Sequence, residues 1–245
     1  MALSIHFRIA YSSLMSRPVP IFLAWLSCAL AGCPAPAQPP DASRDAPRGD
    51  APLGMYLPVG FTRTPDLAPA GMHSFTRAEN VLLASTDYAL VLETELGRIV
   101  LDLHEVETPI AANSLVFLAR NGFFDGIAFH RVIPGFMAQT GDPNTLSSDR
   151  RAWGRGGAGY EFIDETAAGY SYDRAGIVGM ANSGPDSNSS QFFITLAPAP
   201  HLRSSAYTIA GHVIEGLDVI TQIAIGEPPT SPTQILRAYA VQRPR

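Results

Sequence analysis

The sequence predicts a mainly β fold with two helices, its strands forming a closed antiparallel barrel that the helices cap. Three observations carry this expectation. Short runs of β-branched, aliphatic and aromatic residues, bounded by Gly, Pro, Asn or Asp, recur from about Tyr88 onward. Helical spacing of apolar residues occurs at only two places. The order along the chain is strand pair, helix, many short strands, helix, strand, which suits antiparallel neighbours and not βαβ units.

Taken in order, the domain opens with Tyr88-Ala89-Leu90-Val91-Leu92-Glu93-Thr94, then Gly97, then Arg98-Ile99-Val100-Leu101-Asp102-Leu103, a hairpin. Thr108-Pro109 predicts a helix start, with Thr108 as N-cap and Pro109 at the first helical position. Ala112, Leu115, Val116 and Ala119 keep helical spacing, and Gly122 ends the element. Phe123-Phe124-Asp125-Gly126 turns the chain into Phe129-His130-Arg131-Val132-Ile133-Pro134-Gly135-Phe136-Met137-Ala138-Gln139-Thr140-Gly141-Asp142. Alternation on either side of Pro134-Gly135 predicts two short strands meeting at a corner. It sets Phe129 with Arg131 on one face, and Met137 with Gln139 likewise. A cation set among apolar side chains is costly unless something uses it, so this stretch is where function is expected.

Further on, Gly154-Arg155-Gly156-Gly157-Ala158-Gly159 formally matches G-x-G-x-x-G. The polar run before it is no strand, and Tyr160-Glu161-Phe162-Ile163 looks like a strand where a dinucleotide fold needs a helix. A glycine loop that lets backbone approach closely is the better reading. The run 176–195 is strand, polar Gly/Pro/Asn/Ser loop, strand. Tyr207 to Ile214 is a strand, Gly216 to Ile225 the second helix, and Gln234 to Val241 a closing strand.

Composition bounds what such a domain can do. Across 245 residues, 46% hydrophobic and 16% charged content describes a globular protein, and a net charge of −5 with pI near 5.6 argues against nucleic acid as a partner. All 17 basic residues are Arg. The two cysteines, Cys28 and Cys33, sit together near the N-terminus, so no disulfide framework staples the domain. The six histidines lack ligand spacing, so no metal site and no cofactor are expected.

The N-terminus reads as an export signal. Ile21 to Leu30 follows Arg17 as an apolar run too short to span a membrane. It ends in Leu30-Ala31-Gly32-Cys33, which resembles the lipobox of bacterial lipoproteins; that resemblance implies cleavage before Cys33 and its acylation. Met15 is an alternative true start, because 15–32 is already a complete short signal. An ordinary signal peptide with a chance Cys is the alternative to lipidation. From Cys33 to Ser85 the chain turns rich in Pro, Ala, Asp and Arg, an extended tether of about fifty residues reaching roughly 40 Å. Whether its apolar islands Met55, Tyr56, Leu57 and Phe61 pack on the domain is left open. The expected organisation is thus signal peptide 1–32, lipidated Cys33 with tether over 33–85, and domain 86–243.

Two runs resemble the cyclophilins, the peptidyl-prolyl cis/trans isomerases: Phe129-His130-Arg131 with Pro134-Gly135-Phe136-Met137, Gln139 and Gly141-Asp142, and Gly176 to Thr195 with its Met180-Ala181-Asn182 and Gln191-Phe192-Phe193. The resemblance covers about Tyr88 to Arg243. It implies an eight-stranded barrel, and because small barrels fill their interiors, a site on the outer face. By the same resemblance Arg131 is the catalytic residue, Phe136, Met137, Phe193 and Leu202 form the proline pocket, and His130, Gln139, Ala181, Asn182, Gln191, His201 and Tyr207 bind peptide backbone or support the site. The amides of Gln139 and Gln191 are expected to hold the peptide and Arg131.

The implied reaction is rotation about an X-Pro amide against a barrier of about 18–20 kcal/mol. No bond forms or breaks, so no nucleophile or general base is needed; gripping the ring and stabilising the twisted amide suffice. As conjugation is lost the proline nitrogen gains a lone pair, to which a fixed guanidinium can donate. Partners are then proline-containing peptides and unfolded envelope proteins, with the membrane met through the lipid anchor alone, no nucleic acid, and a monomer. The expected location is the bacterial cell envelope, at the outer membrane facing the periplasm, otherwise soluble periplasm. The competing reading is a holdase or scaffold that grips Pro-peptides without turnover. His201 stands where many family members carry Trp, which bears on cyclosporin affinity, and Tyr207 where some carry His.

Overall fold

The structure is a computed structural model that describes residues 57–67, 71–166 and 169–245. The expected signal peptide, its alternative start at Met15, Cys33 and the tether as far as residue 56 lie outside the described residues. Nine strands form one antiparallel sheet: β1 (Thr62–Arg63), β2 (Thr86–Thr94), β3 (Gly97–Leu103), β4 (Arg131–Ile133), β5 (Met137–Thr140), β6 (Ile177–Met180), β7 (Phe192–Thr195), β8 (Ile209–Glu215) and β9 (Ile235–Pro244). Their order is β1-β9-β2-β3-β8-β6-β7-β5-β4, and two α-helices, α1 (Pro109–Arg120) and α2 (Leu217–Ile220), complete the fold.

The ladder does not close, so the expected closed eight-stranded barrel is corrected. The two ends of the sheet approach only through isolated bridges, Ala128 with Gln234 and Val132 with Gly226. The physical reason lies in the segment preceding β9. Pro228, Pro229 and Pro232 have no N–H to donate, so this stretch cannot run as a paired strand.

Side chains separate cleanly between the faces. Leu90, Leu92, Ile99 and Leu101 of β2 and β3 pack inward with Val132, Ala138, Met180, Phe192 and Ile194 and with α1. Alternate residues Ala89, Val91 and Val100 face outward, yet are fully buried beneath Phe61, Leu57 and Tyr239. That is why β2 reads as a continuous apolar run: both faces are covered. Two of these three, Leu57 and Phe61, come from the stretch expected as tether. Over 57–67 and 71–85 that expectation fails, because β1 pairs with β9, and Phe75, Ala78, Val81 and Leu82 pack against the interior cluster. The Phe75 N–H donates to the Ala158 carbonyl at 2.7 Å, and the Val81 N–H to Asn113 Oδ1 at 2.8 Å.

Helix α1 starts and stops for different reasons. Thr108 makes no side-chain cap; its hydroxyl donates to the carbonyls of His104 and Ile209. The free N–H groups of Ile110 and Ala111 donate instead to the two carboxylate oxygens of Glu165, at 3.0 and 2.8 Å. A carboxylate at a helix N-terminus is favoured by the dipole as well as by hydrogen bonding. At the other end Gly122 takes φ 64°, and the N–H groups of Gly122 and Phe123 return to Ala119 and Leu118.

Three further expectations change. The second helix covers only Leu217–Ile220, because Gln222 N–H bonds the Val219 carbonyl while the Thr221 hydroxyl and Gln222 amide take that of Asp218. The run 160–163 is no strand and keeps a single bridge, Phe162 with Asn188. Phe129 lies in the interior cluster, whereas Arg131 lines an outer cavity, since β4 begins only at Arg131 and the alternation does not extend back through His130.

Candidate functional site

A row of directly paired residues crosses the outer face from β4 to β6. Arg131 pairs with Gln139, Gln139 with Phe193, and Phe193 with Gly179. Paired residues project to the same side of a sheet, so the guanidinium, an amide and an aromatic ring stand in line. Gly179 is required at the end of that row. A Cβ there would lie 2.4 Å from the Phe193 ring and 2.3 Å from the Tyr172 hydroxyl. Tyr172, fully buried, lies stacked on Phe193 with centroids 5.6 Å apart and donates to the Tyr207 carbonyl at 3.1 Å. Burial pushes its phenol far up, so it stays a neutral donor.

Around this row is a cavity of about 160 Å³ lined by Arg131, Phe136, Met137, Gln139, Ala181, Asn182, Phe193, Leu202 and Tyr207. The sequence therefore names every residue of its wall. Met137 and Phe193 are buried, Phe136 and Leu202 half-buried, and a second apolar cluster on this face backs them. His201 is on the rim, its ring 5.0 Å from that of Phe136. Gln191 lies in the adjoining cleft of about 560 Å³, which runs between the glycine loop 154–160 and residues 181–189.

His130 does not line either cavity. It is buried behind the site, among the described residues neither ring nitrogen has a hydrogen-bond partner, and Gly154 approaches its ring. Burial holds its pKa below the ordinary 6.5, with the Asp142 charge a smaller opposing influence. It supports the site by packing.

The amides also behave differently from expectation. Gln139 Nε2 donates to Gln191 Oε1 at 2.8 Å, and Gln191 Nε2 donates to the Gly156 carbonyl at 2.8 Å. The pair thus ties β5 to the glycine loop and gives Arg131 nothing. Asn182 Nδ2 donates to the Ala206 carbonyl at 2.8 Å, holding the turn before Tyr207 while the residue lines the cavity. Arg131 is held by Glu227, whose Oε2 accepts from Nε at 2.7 Å. Among the described residues this is the guanidinium's only hydrogen bond, so Nη1 and Nη2 are unbonded there.

Sequence reasoning missed Glu227, Tyr172, Gly179 and the structural weight of Asp142. Asp142 is fully buried; it accepts from the N–H of Asn144 at 2.8 Å and from that of Gly154, fixing the start of the glycine loop. Asp142 and Gly179 had a signal, their places in the 129–142 and 176–195 runs; Glu227 and Tyr172 had none. Chemically, the arrangement offers an apolar slot for a small ring with one anchored cation at its edge, and among the described residues no group of three or more His, Cys, Asp or Glu is gathered.

Comparison with known proteins agrees with this geometry. Residues 89–240 match the family model described as cyclophilin type peptidyl-prolyl cis-trans isomerase. The chain is 40% identical over 158 residues to peptidyl-prolyl cis-trans isomerase ppi1 of Schizosaccharomyces pombe, covering 61% of this chain and 97% of that protein. It is also 40% identical over 156 residues to the mouse peptidyl-prolyl cis-trans isomerase-like 1, covering 60% and 89%. A solved cyclophilin type isomerase of Cryptosporidium parvum superposes with TM-score 0.57 at 30% identity, covering 63% of this chain and 97% of that one.

Proposed function

The chain belongs to the cyclophilin-type peptidyl-prolyl cis-trans isomerase family, and from that premise we propose that it accelerates X-Pro rotation in exported proteins with Arg131 as the catalytic residue. The apolar slot of Phe136, Met137, Phe193 and Leu202 takes the proline ring. The carbonyl side of the imide turns while the ring is held. Twisting pyramidalises the proline nitrogen, and a guanidinium N–H meets its new lone pair more strongly than it meets the planar amide, which lowers the barrier.

The observation that supports this most is the position of Arg131 at the cavity edge with its two terminal nitrogens unbonded. A protease-coupled assay on a peptide carrying one X-Pro bond tests it. Arg131→Ala should lower kcat/KM by about 10²-fold, the cost of removing one preorganised transition-state donor. Equal rates in variant and wild type would return the slot to a binding role.

Lipid anchoring at Cys33 and a place in the cell envelope are part of the same reading, supported by Leu30-Ala31-Gly32-Cys33 behind the apolar run 21–30. An acylated Cys33 binds membrane with about 0.8 kcal/mol per buried CH₂. Expression of Cys33→Ser should move the protein from the membrane pellet to the soluble fraction; unchanged pelleting sinks the anchor.

A further inference from the structure

We propose that Glu227 is a positioning residue for Arg131: it holds the guanidinium by Nε at the cavity edge and leaves Nη1 and Nη2 without a bond among the described residues. This rests on the reading of Arg131 as the catalytic residue, and goes beyond it by naming what fixes that residue.

The register is the first argument. Val132 N–H donates to the Gly226 carbonyl at 2.8 Å, and Gly226 N–H returns to the Val132 carbonyl at 3.0 Å. Two residues that exchange both bonds form a hydrogen-bonded antiparallel pair, so the next facing pair, one step back on β4 and one step on in the loop, is Arg131 with Glu227. Side chains in such a non-hydrogen-bonded pair stand closest together. Their 2.7 Å bond follows from the backbone and is not a chance meeting of two flexible side chains.

The loop itself is stiff where it matters. Gly226 sits at φ 147°, and a Cβ there would lie 2.6 Å from Pro229 Cα, so only glycine permits the fold of the loop. Two prolines follow Glu227, removing backbone freedom. Arg150 then grips the far side, donating from Nη1 to the Pro229 carbonyl and from Nη2 to that of Thr230, each at 2.8 Å. A carboxylate on a flexible loop could not position anything; this one is carried on a braced loop.

Among the described residues no other side chain bonds the Arg131 guanidinium. Gln139, the residue paired with Arg131 on the other side, spends its amide on Gln191. Both members of the Arg131–Glu227 pair are well exposed, at 40% and 53%, where ion pairs add little to stability. What the pair does supply is orientation of a long side chain with several free torsions. A carboxylate could instead weaken the cation by neutralising it, and that alternative predicts the opposite sign.

The experiment is a double-mutant cycle in the full chain, with kcat and KM measured on an X-Pro peptide. Glu227→Ala should lower kcat about tenfold with KM changed less than about twofold, since misplacing a catalytic group costs rate more than binding. Glu227→Gln keeps an acceptor for Nε and should recover part of the rate. On the Arg131→Ala background, Glu227→Ala should change nothing, because the two act as one unit. If Glu227→Ala is as fast as wild type or faster, or slows the Arg131→Ala enzyme by the same factor, the inference is overturned. If Arg131→Ala itself matches wild type, the underlying reading fails instead.

Discussion

The two walls flanking the site are built on opposite principles. The wall of residues 142–160 is held by buried polar groups: Asp142 accepts two backbone N–H groups, Gln191 grips Gly156, and Ser189 Oγ accepts from the Ala158 N–H at 2.9 Å. The wall of residues 226–233 is held by prolines, one backbone bridge, the Arg150 clamp and an exposed ion pair. Low dielectric makes each bond on the first wall count for stability and makes each unpaired group there expensive. On the second wall solvent screens the charges, so its polar contacts orient groups with little effect on unfolding. The first wall is expected to matter most for stability, and the second, on the reading proposed for Arg131 and Glu227, for rate.

That contrast breaks most sharply at Asp142. Asp142→Ala strands the N–H groups of Asn144 and Gly154 in the interior and should cost about 3 kcal/mol, read as a lower midpoint in urea unfolding with unchanged slope. A loss under about 0.5 kcal/mol would mean the glycine loop is held by other means.

The next effect is pH dependence of the same wall. Burial depresses the His130 pKa below 6.5, so the unfolded chain binds the proton more readily than the folded one. Unfolding free energy then rises with pH in this range, and stability present above the ordinary imidazole value is lost as pH falls through 6.5 toward the folded pKa. His104 is shifted the same way by burial, while burial raises Asp102, Glu105 and Asp125, which act in the opposite sense. A His130→Asn variant leaves those groups in place. Its melting temperature should fall less between pH 7.5 and 5.5 than that of wild type, and identical slopes would remove His130 from the account.

The smallest effect belongs to the second wall. Glu227→Ala should change unfolding free energy by less than about 1 kcal/mol while slowing catalysis, and a larger stability loss would erase the distinction between the walls.

How much of this was legible depends on the range over which each feature is decided. The corner at Pro134-Gly135 and the hairpin β4–β5 follow from alternation within a few residues, and the end of α1 follows from Gly122. The start of α1 falls where Thr108-Pro109 places it, but the carboxylate that satisfies its first N–H groups, Glu165, comes from 55 residues away and leaves no local mark. The stretches 57–67 and 71–85 looked like spacer because their apolar residues have no period; Leu57, Phe61, Phe75, Ala78, Val81 and Leu82 pack singly onto surfaces that other elements supply. Nothing marks Glu227 in a run of prolines, since its partner is set by a bridge between residues 94 positions apart.

By itself the sequence determined the local elements of the site: alternation around Pro134-Gly135 makes the hairpin that sets Arg131 opposite Gln139, while the apolar slot was named through the resemblance of two short runs. Only tertiary structure decided which group holds that arginine, where the sheet fails to close and what covers its outer face. Those outcomes depend on how distant segments meet, and the pairing energies that choose among such meetings are properties of the assembled fold and of no single stretch of chain.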